Sequence, residues 1–492
     1  MIIAKKEYLT YKRIFDTFLK SYNSNFTTIA ISWLHLIRPH PSFLKNYSRE
    51  KIYNLTNLIY LFFIRLFLLL NEFLYTIIVN IIYLHKNFII KKKIKQLKFL
   101  FISHIVSIDE FKKDLYYQNI FNFLKKKKIN FSVIYLNHTK YSSSYFKKKK
   151  YFDFSIIEKR TNLLNQILIF TKIFREFFRI ILFCDKNINF YIKLKIAIEC
   201  LSLDTLNNLR IRFYLKDQLS FIKTNYLICT YEGFAYERLI FNISKEIISN
   251  VKCIGYQHVG IFENQHSVKR DINEKYDPDI VFVSGKNFVN FFKKTNIFSE
   301  KKIYNIGSIR SYYKKNNAVR FKKNLKTYTC LVLPESFIDE CNILFQFSKK
   351  YSEVFDNCRF IWRLHPMQNF NYLNKKLNIL NNINHKIILS KRNLSFDLKR
   401  SDFCLYRGST AVVKAIQSNL YPIYLRKQNE FLIDPLHEIS NLRNEIIEIN
   451  ELNNLLINKF YLKKMFLEKF IKIKKYCKDF YSPINYKIIS RL

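Results

Sequence analysis

Residues 226–260 read YLICTYEGFAYERLIFNISKEIISNVKCIGYQHVG and hold one complete strand, helix and strand. YLICT (226–230) is an apolar run of strand length, residues 234–249 carry apolar side chains at helical spacing, and KCIGY (252–256) is again strand-like. Two such strands joined through a helix form a parallel pair.

The same alternation extends to both sides. Upstream lie LKFLFI (97–102), a helical stretch at 111–127 and NFSVIYL (130–136); downstream come IVFV (280–283) and KIYNI (302–306). After a basic linker at 312–326 a second set begins, with strands at 328–333, 359–364, 386–389, 403–406 and 422–425. Helices are predicted between them at 337–351, 394–400 and 410–418. Two successive arrays of this kind predict an α/β protein of two Rossmann-like domains facing a cleft.

On this reading residues 1–95 are a helical extension, 96–311 the first domain with a helical insertion at 151–224, and 312–450 the second domain. Residues 451–492 are helices that pack back across both domains.

Composition bounds the function. A net charge of +45 suits an anionic partner, although heavy use of Lys, Asn, Ile, Phe and Tyr points to AT-rich coding, which inflates the lysine count. The dense runs at 91–95, 125–128 and 147–150 remain, as a solvated face or a contact with an anionic membrane. No RNA-binding aromatic signature, zinc spacing or basic-leucine pattern accompanies the charge, so nucleic acid is not favoured as a partner. Nine cysteines without a CxxC pair argue for a reducing compartment. The first twenty residues lack an apolar core segment, which predicts a cytoplasmic protein without a secretory signal.

Within the extension, WLHLIRPHP (33–41) is a compact polar-apolar cluster. Residues 58–84 are almost wholly apolar but include Arg65 and Glu72. Each would cost about 2.5 to 3.5 kcal/mol at a bilayer centre, so a helix in the membrane interface or a buried hairpin is expected before a clean span.

All six glycines fall between 233 and 408, where backbone geometry or close ligand approach must require them. Ligands of doubly wound sheets bind beyond the carboxyl ends of the strands, which selects four loops. After YLICT, Glu232 beside Gly233 is placed to act as a general base or to cap the next helix, with Glu237 one turn on. After KCIGY come Gln257 and His258, with His266 beyond; the histidine is a candidate base, an acceptor or phosphate contact, or a structural hydrogen-bonder. Arg363 and His365, the latter followed by Pro366, lie two residues apart on one side of a strand and aim at an anion. Arg407, Gly408, Ser409 and Thr410 open a helix, as a phosphate site or an ordinary N-cap. Arg310 and Ser336 line the same cleft. Asp277 and Asp279 precede a strand, on the wrong edge of the sheet for a metal, and no metal site is expected.

The series Glu232-Gly233, His365-Pro366 and Ser409-Thr410, in that order over two domains, resembles the acidic-Gly, His-Pro and Ser motifs of bacterial sialyltransferases and polysialyltransferases. More loosely, residues 225–426 are similar to capsule and surface carbohydrate biosynthesis proteins, including Kdo transferases and CDP-glycerol glycerophosphotransferases. The resemblance implies a GT-B glycosyltransferase with Glu232 as base and His365, Ser409 and Thr410 on the donor's phosphate. Tyr231 stands where the family often has a first acid, and residues 1–95 and 151–224 lie outside the resemblance.

The expectation is therefore a metal-independent and cofactor-free transferase. It would move a sugar from a nucleotide-activated donor, CMP-linked if the resemblance extends to the donor, to a glycan or glycolipid acceptor, in the cytoplasm or at the inner face of its membrane. Donor binding falls to the second domain and acceptor binding to the first, near Glu232, Gln257, His258, Glu237 and His266. The alternatives are a polyol phosphate transferase using a CDP donor and a non-catalytic membrane-bound scaffold of polysaccharide assembly.

Overall fold

In the computed structural model, the described residues are 5–22, 24–36, 40–82, 95–107, 111, 113–139, 141, 143–146, 152–157, 162–270, 272–294, 302–311, 327–366, 368–458 and 464–492. The lysines at 91–93 and 147–150, the linker at 312–326, residues 37–39 of the WLHLIRPHP cluster and residues 83–84 lie outside them.

The first sheet contains β1 (Lys95–Ile105), β2 (Phe131–Asn137), β3 (Phe154–Ile157), β4 (Ile222–Thr230), β5 (Lys252–Gln257), β6 (Ile280–Val283) and β7 (Ile303–Asn305). The second contains β8 (Tyr328–Leu333), β9 (Cys358–Trp362), β10 (Ile387–Leu389), β11 (Phe403–Tyr406), β12 (Tyr421–Leu425) and β13 (Asn444–Ile446). Their orders are β3-β2-β1-β4-β5-β6-β7 and β10-β9-β8-β11-β12-β13, and every pairing is parallel. Each sheet thus grows one way from its first strand and then crosses to the other side. The reversals fall between β1 and β4 and between β8 and β11, where doubly wound sheets form their ligand crevices. The two sheets make a GT-B-like, two-domain α/β protein.

Parallel strands covered on both faces must be apolar on both sides. Phe99, Leu100, Phe101 and Ile102 of β1 are fully buried, as are Leu405 and Tyr406 of β11.

The helices that surround the first sheet are α1 (Lys5–Ser21), α2 (Leu55–Ile82), α3 (Leu163–Leu182), α4 (Phe190–Cys200), α5 (Leu203–Leu219) and α6 (Ala235–Ile247). Around the second lie α7 (Ile338–Val354) and α8 (Ala411–Gln417), and α9 (Lys464–Phe480) follows. The expected insertion at 151–224 needs correction at both ends. Residues 154–157 form the edge strand β3, and 222–224 already belong to β4, so α3 to α5 are the crossover between adjacent parts of one sheet.

Two elements tie the domains together. In α9, Cys477 O accepts from Gln417 Nε2 of the second domain at 3.0 Å, and Tyr476 O accepts from Asn287 Nδ2 of the first at 3.0 Å. The chain then runs so close to Gly285 that a Cβ there would lie 2.2 Å from Phe480 O, so this glycine serves packing and not a ligand. At the N-terminal side, Asp16 of α1 pairs with Arg270 at 2.8 Å, while Tyr8 stacks edge-on against Phe431 with ring centroids 5.0 Å apart.

Candidate functional site

At the carboxyl end of β4 the chain turns through Gly233, whose φ of 87° is costly for any residue with a Cβ. A Cβ there would also lie 2.6 Å from Ser267 backbone. Glu237, in the first turn of α6, reaches back and accepts from the amides of Glu232 (2.8 Å), Gly233 (2.8 Å) and Phe234 (3.0 Å). It also accepts from Thr230 Oγ1 at 3.0 Å. Burial, then the neighbouring Glu232 charge, push its carboxyl up to about 8 against the pull of those amides. The helix-capping role considered for Glu232 therefore belongs to Glu237, which is not an acceptor contact.

Glu232 keeps its carboxylate at the sheet edge, 3.7 Å from His258 Nε2. The His258 ring meets Tyr116 edge-on, centroids 4.6 Å apart. Beside them, His104 at the end of β1 bridges His138 Nε2 (2.9 Å) and Thr230 Oγ1 (3.2 Å). Burial, then the neighbouring His138 and His258, push His104 down to about 3, so its imidazole is neutral. The His104 ring thus links His138 Nε2 to Thr230 Oγ1, and through Thr230 to Glu237 Oε1. Four strand ends, those of β1, β2, β4 and β5, thus place His104, His138, Glu232 and His258 around the first reversal point.

The second domain is built differently. Arg363 gives its guanidinium to Asp397 (2.9 Å) and to Arg392 O (2.7 Å). Arg407, only 1 % exposed, binds Glu340 Oε2 at 2.8 Å, Leu425 O at 3.1 Å and Glu430. Arg407 is consumed by internal partners and is not aimed at a ligand anion, which corrects the expectation from sequence, while Arg363 is half-buried and bonded through Nη1 alone. Gly408 makes room for Glu335, since a Cβ there would lie 2.6 Å from its carboxyl carbon. His40, from the helical extension, lies 3.1 Å from the same carboxylate. The loop read as a phosphate cradle therefore already holds an acid, and α8 behind it has only seven residues.

Groups with room for a ligand remain. His365 is half-buried, its imidazole pushed below the ordinary value by desolvation, with Glu335 and Arg310 in electrostatic reach. Arg310 is exposed beside Tyr481, Tyr116 and Tyr256. Thr410 faces the first domain: its Cγ2 is 3.1 Å from the point where a Cβ on Gly260 would sit. Ser409 is buried next to it, Pro366 is exposed, and Ser336 accepts from Gln368 through its carbonyl.

Gln257 at the end of β5 is 1 % exposed, and neither atom of its amide finds a partner among the described residues. His266 does not join the cluster; it binds Asp16 of α1 at 2.9 Å and fastens the extension. Tyr231, in the place of a first acid, is a core residue whose phenol donates to Asp277 at 3.3 Å. Asp277 also pairs with Arg238, and Asp279 with Lys245 at 2.9 Å. Among the described residues no three His, Cys, Asp or Glu converge as a metal centre would require. An open depression of about 760 Å³ lies at the opposite edge of the first sheet, lined by Lys98, Lys128 and Lys223, away from these groups.

Sequence reasoning passed over His104, His138 and the place of His40 beside the second domain, and read Glu335 with Ser336 only as lining the cleft. The signal for the first two was present, because each stands at the end of an apolar strand-length run, LKFLFISHI and NFSVIYLNH.

No family model matches the chain, and no curated protein does. Solved structures do align with it. A UDP-GlcNAc 2-epimerase from Neisseria meningitidis bound to UDP-GlcNAc is 11% identical over 80% of this chain and 99% of its own, with a TM-score of 0.45. The kitacinnamycin glycotransferase is 8% identical over 78% and 96%, also at 0.45. The glycosyltransferase SnogD from Streptomyces nogalater is 10% identical over 81% and 98%, at 0.43. At TM-scores below 0.5 these likenesses establish neither relationship nor activity, and the two-sheet architecture stands on the chain's own strand order.

Proposed function

We propose that the chain is a glycosyltransferase that moves a sugar from a nucleotide-activated donor to a hydroxyl of a glycan or glycolipid. The observation that carries this reading is the Glu232 and His258 pair, 3.7 Å apart, beside a sheet reversal point and across the cleft from Thr410.

In this reading Glu232 accepts the proton of the acceptor hydroxyl as its oxygen bonds to the anomeric carbon, and the bond from that carbon to the donor phosphate breaks. His258 orients the carboxylate. The negative charge left on the departing nucleotide is met by His365, Arg310 and the hydroxyls of Ser409 and Thr410. Arg407 takes no part, since its three nitrogens are already held by Glu340, Leu425 O and Glu430. Glu335 suits hydroxyl groups of the donor and repels its phosphate.

The test is a thermal-shift titration with CMP, CDP, UDP and GDP, repeated on His365→Ala, because a ligand of the native state raises the melting temperature. One nucleotide should stabilise the protein by several degrees and lose that effect in the variant. A well-folded protein indifferent to all four would overturn the transferase reading in favour of a scaffold.

A further inference from the structure

We infer that α2, with the adjoining face of α3, is a docking surface for an anionic lipid bilayer, on which the protein lies with α2 parallel to the membrane plane. This rests on the surface itself and not on the proposed activity.

α2 has 28 residues, and its most apolar 18-residue stretch has a mean hydropathy of 1.9, yet only 11% of that stretch is buried. Its charges do not face out. Arg65 pairs with Glu199 of α4 at 3.1 Å, and Glu72 pairs with Arg210 of α5 at 2.8 Å. Arg210 also donates to Thr76 at 3.0 Å. Arg65, Leu69, Glu72 and Thr76, three or four residues apart, and Leu58 seven before them thus form one row clamped to the protein. The two charges that argued against lipid in the sequence are neutralised inside.

The opposite row is apolar. Tyr60, Phe67 and Leu74, one heptad apart, are 68, 64 and 56% exposed, with Ile59, Phe63 and Ile78 beside them. Leu164, Ile167, Phe178 and Leu182 of α3 are also exposed, on a helix that packs against α2. An exposed apolar surface of this extent marks an interaction site.

Three features select an anionic bilayer as the occupant. The clamped row prevents α2 from leaving the domain to span, although at about 42 Å it exceeds a hydrocarbon core of about 30 Å. An interfacial helix with one polar and one apolar face is the form that remains. The sequence directly after α2, residues 83–95, holds five lysines and no acid, and the whole chain carries +45. Such a basic segment beside an apolar helix favours anionic headgroups.

The experiment uses the full chain with vesicles of phosphatidylcholine alone or with 30 mol % phosphatidylglycerol. It should co-sediment with the anionic vesicles, and Phe63→Ser/Phe67→Ser/Leu74→Ser should lower binding by roughly tenfold or more at unchanged melting temperature. Equal binding by the triple variant, or none by the wild type, overturns the inference; binding indifferent to phosphatidylglycerol overturns the anionic part. Self-association without lipid, lost in the triple variant, would reassign the face to a second copy. Orientation is read by placing tryptophan at 60, 67 or 74 in separate variants and quenching with brominated lipids, since Trp33 and Trp362 are both buried. Similar shallow depths at all three positions are expected. A deep centre with shallow ends would mean a span.

Discussion

The two sheets end in opposite kinds of edge. At the carboxyl end of the first, Glu232 and His258 approach to 3.7 Å without closing into a hydrogen bond, and Gln257 is buried with its amide unpartnered among the described residues. At the carboxyl end of the second, Arg363 and Arg407 are locked onto Asp397, Glu340 and Glu430. The first edge leaves the Gln257 amide without a partner among the described residues, whereas the second holds Arg407 between two acids of its own. A basic residue at a strand end is therefore evidence for an anion site only after its internal partners are known.

The sharpest way to break this contrast is to alter one residue on each edge and read both turnover and stability. Glu232→Gln should lower turnover by about 10²- to 10⁴-fold, the range lost with a general base. Its melting temperature should stay near that of the parent, because Glu237 and not Glu232 ties down the loop amides. Retained turnover would remove Glu232 from the chemistry and leave His258 as the base.

Arg407→Ala should do the reverse. It takes the guanidinium from Glu340 and Glu430, at 2 and 3% side-chain exposure, leaving Glu430 with Lys427 and Glu340 with only His40 at 3.6 Å. Breaking a buried pair in this way costs about 3 to 5 kcal/mol, measurable as a lower urea midpoint at constant slope. If stability were unchanged while a nucleotide response disappeared, Arg407 would itself be a donor contact.

How far the sequence could be read follows from the same physics. LKFLFI, YLICT and FCLY stand out because parallel strands covered on both faces are unbroken apolar runs. β3 (Phe154–Ile157) and β13 (Asn444–Ile446) do not, since Ser155 interrupts the first short run and Asn444 and Glu445 make most of the second polar. Glu232 and His258 were legible as residues at strand ends. The true state of Arg363 and Arg407 was not, because their acids lie 34 and 67 residues away in sequence and meet them only after folding. Residue 40 is harder still: it belongs to the helical extension yet sits against Glu335 of the second domain.

The smallest effect tests how dry the first edge is. His104 is pushed down to about 3 by burial, then by His138 and His258, whereas an unfolded histidine titrates near 6.5. A depressed histidine is neutral in the folded chain, so the unfolded state binds the extra proton as pH falls through 6.5. Its contribution is complete above that pH and is lost below it, by at most about 1.4 kcal/mol per pH unit. Other buried histidines act in the same direction, His266 being pushed down to about 4, so the slope must be compared between variants. Urea midpoints at pH 7 and 5.5 should fall less in His104→Gln than in the parent, by about 1 kcal/mol after conversion. Equal falls would mean that the His138, His104 and Thr230 chain admits water and a proton in the folded state. The first edge would then be wet, and Glu232 would work as a solvated carboxylate instead of one held in a dry cluster.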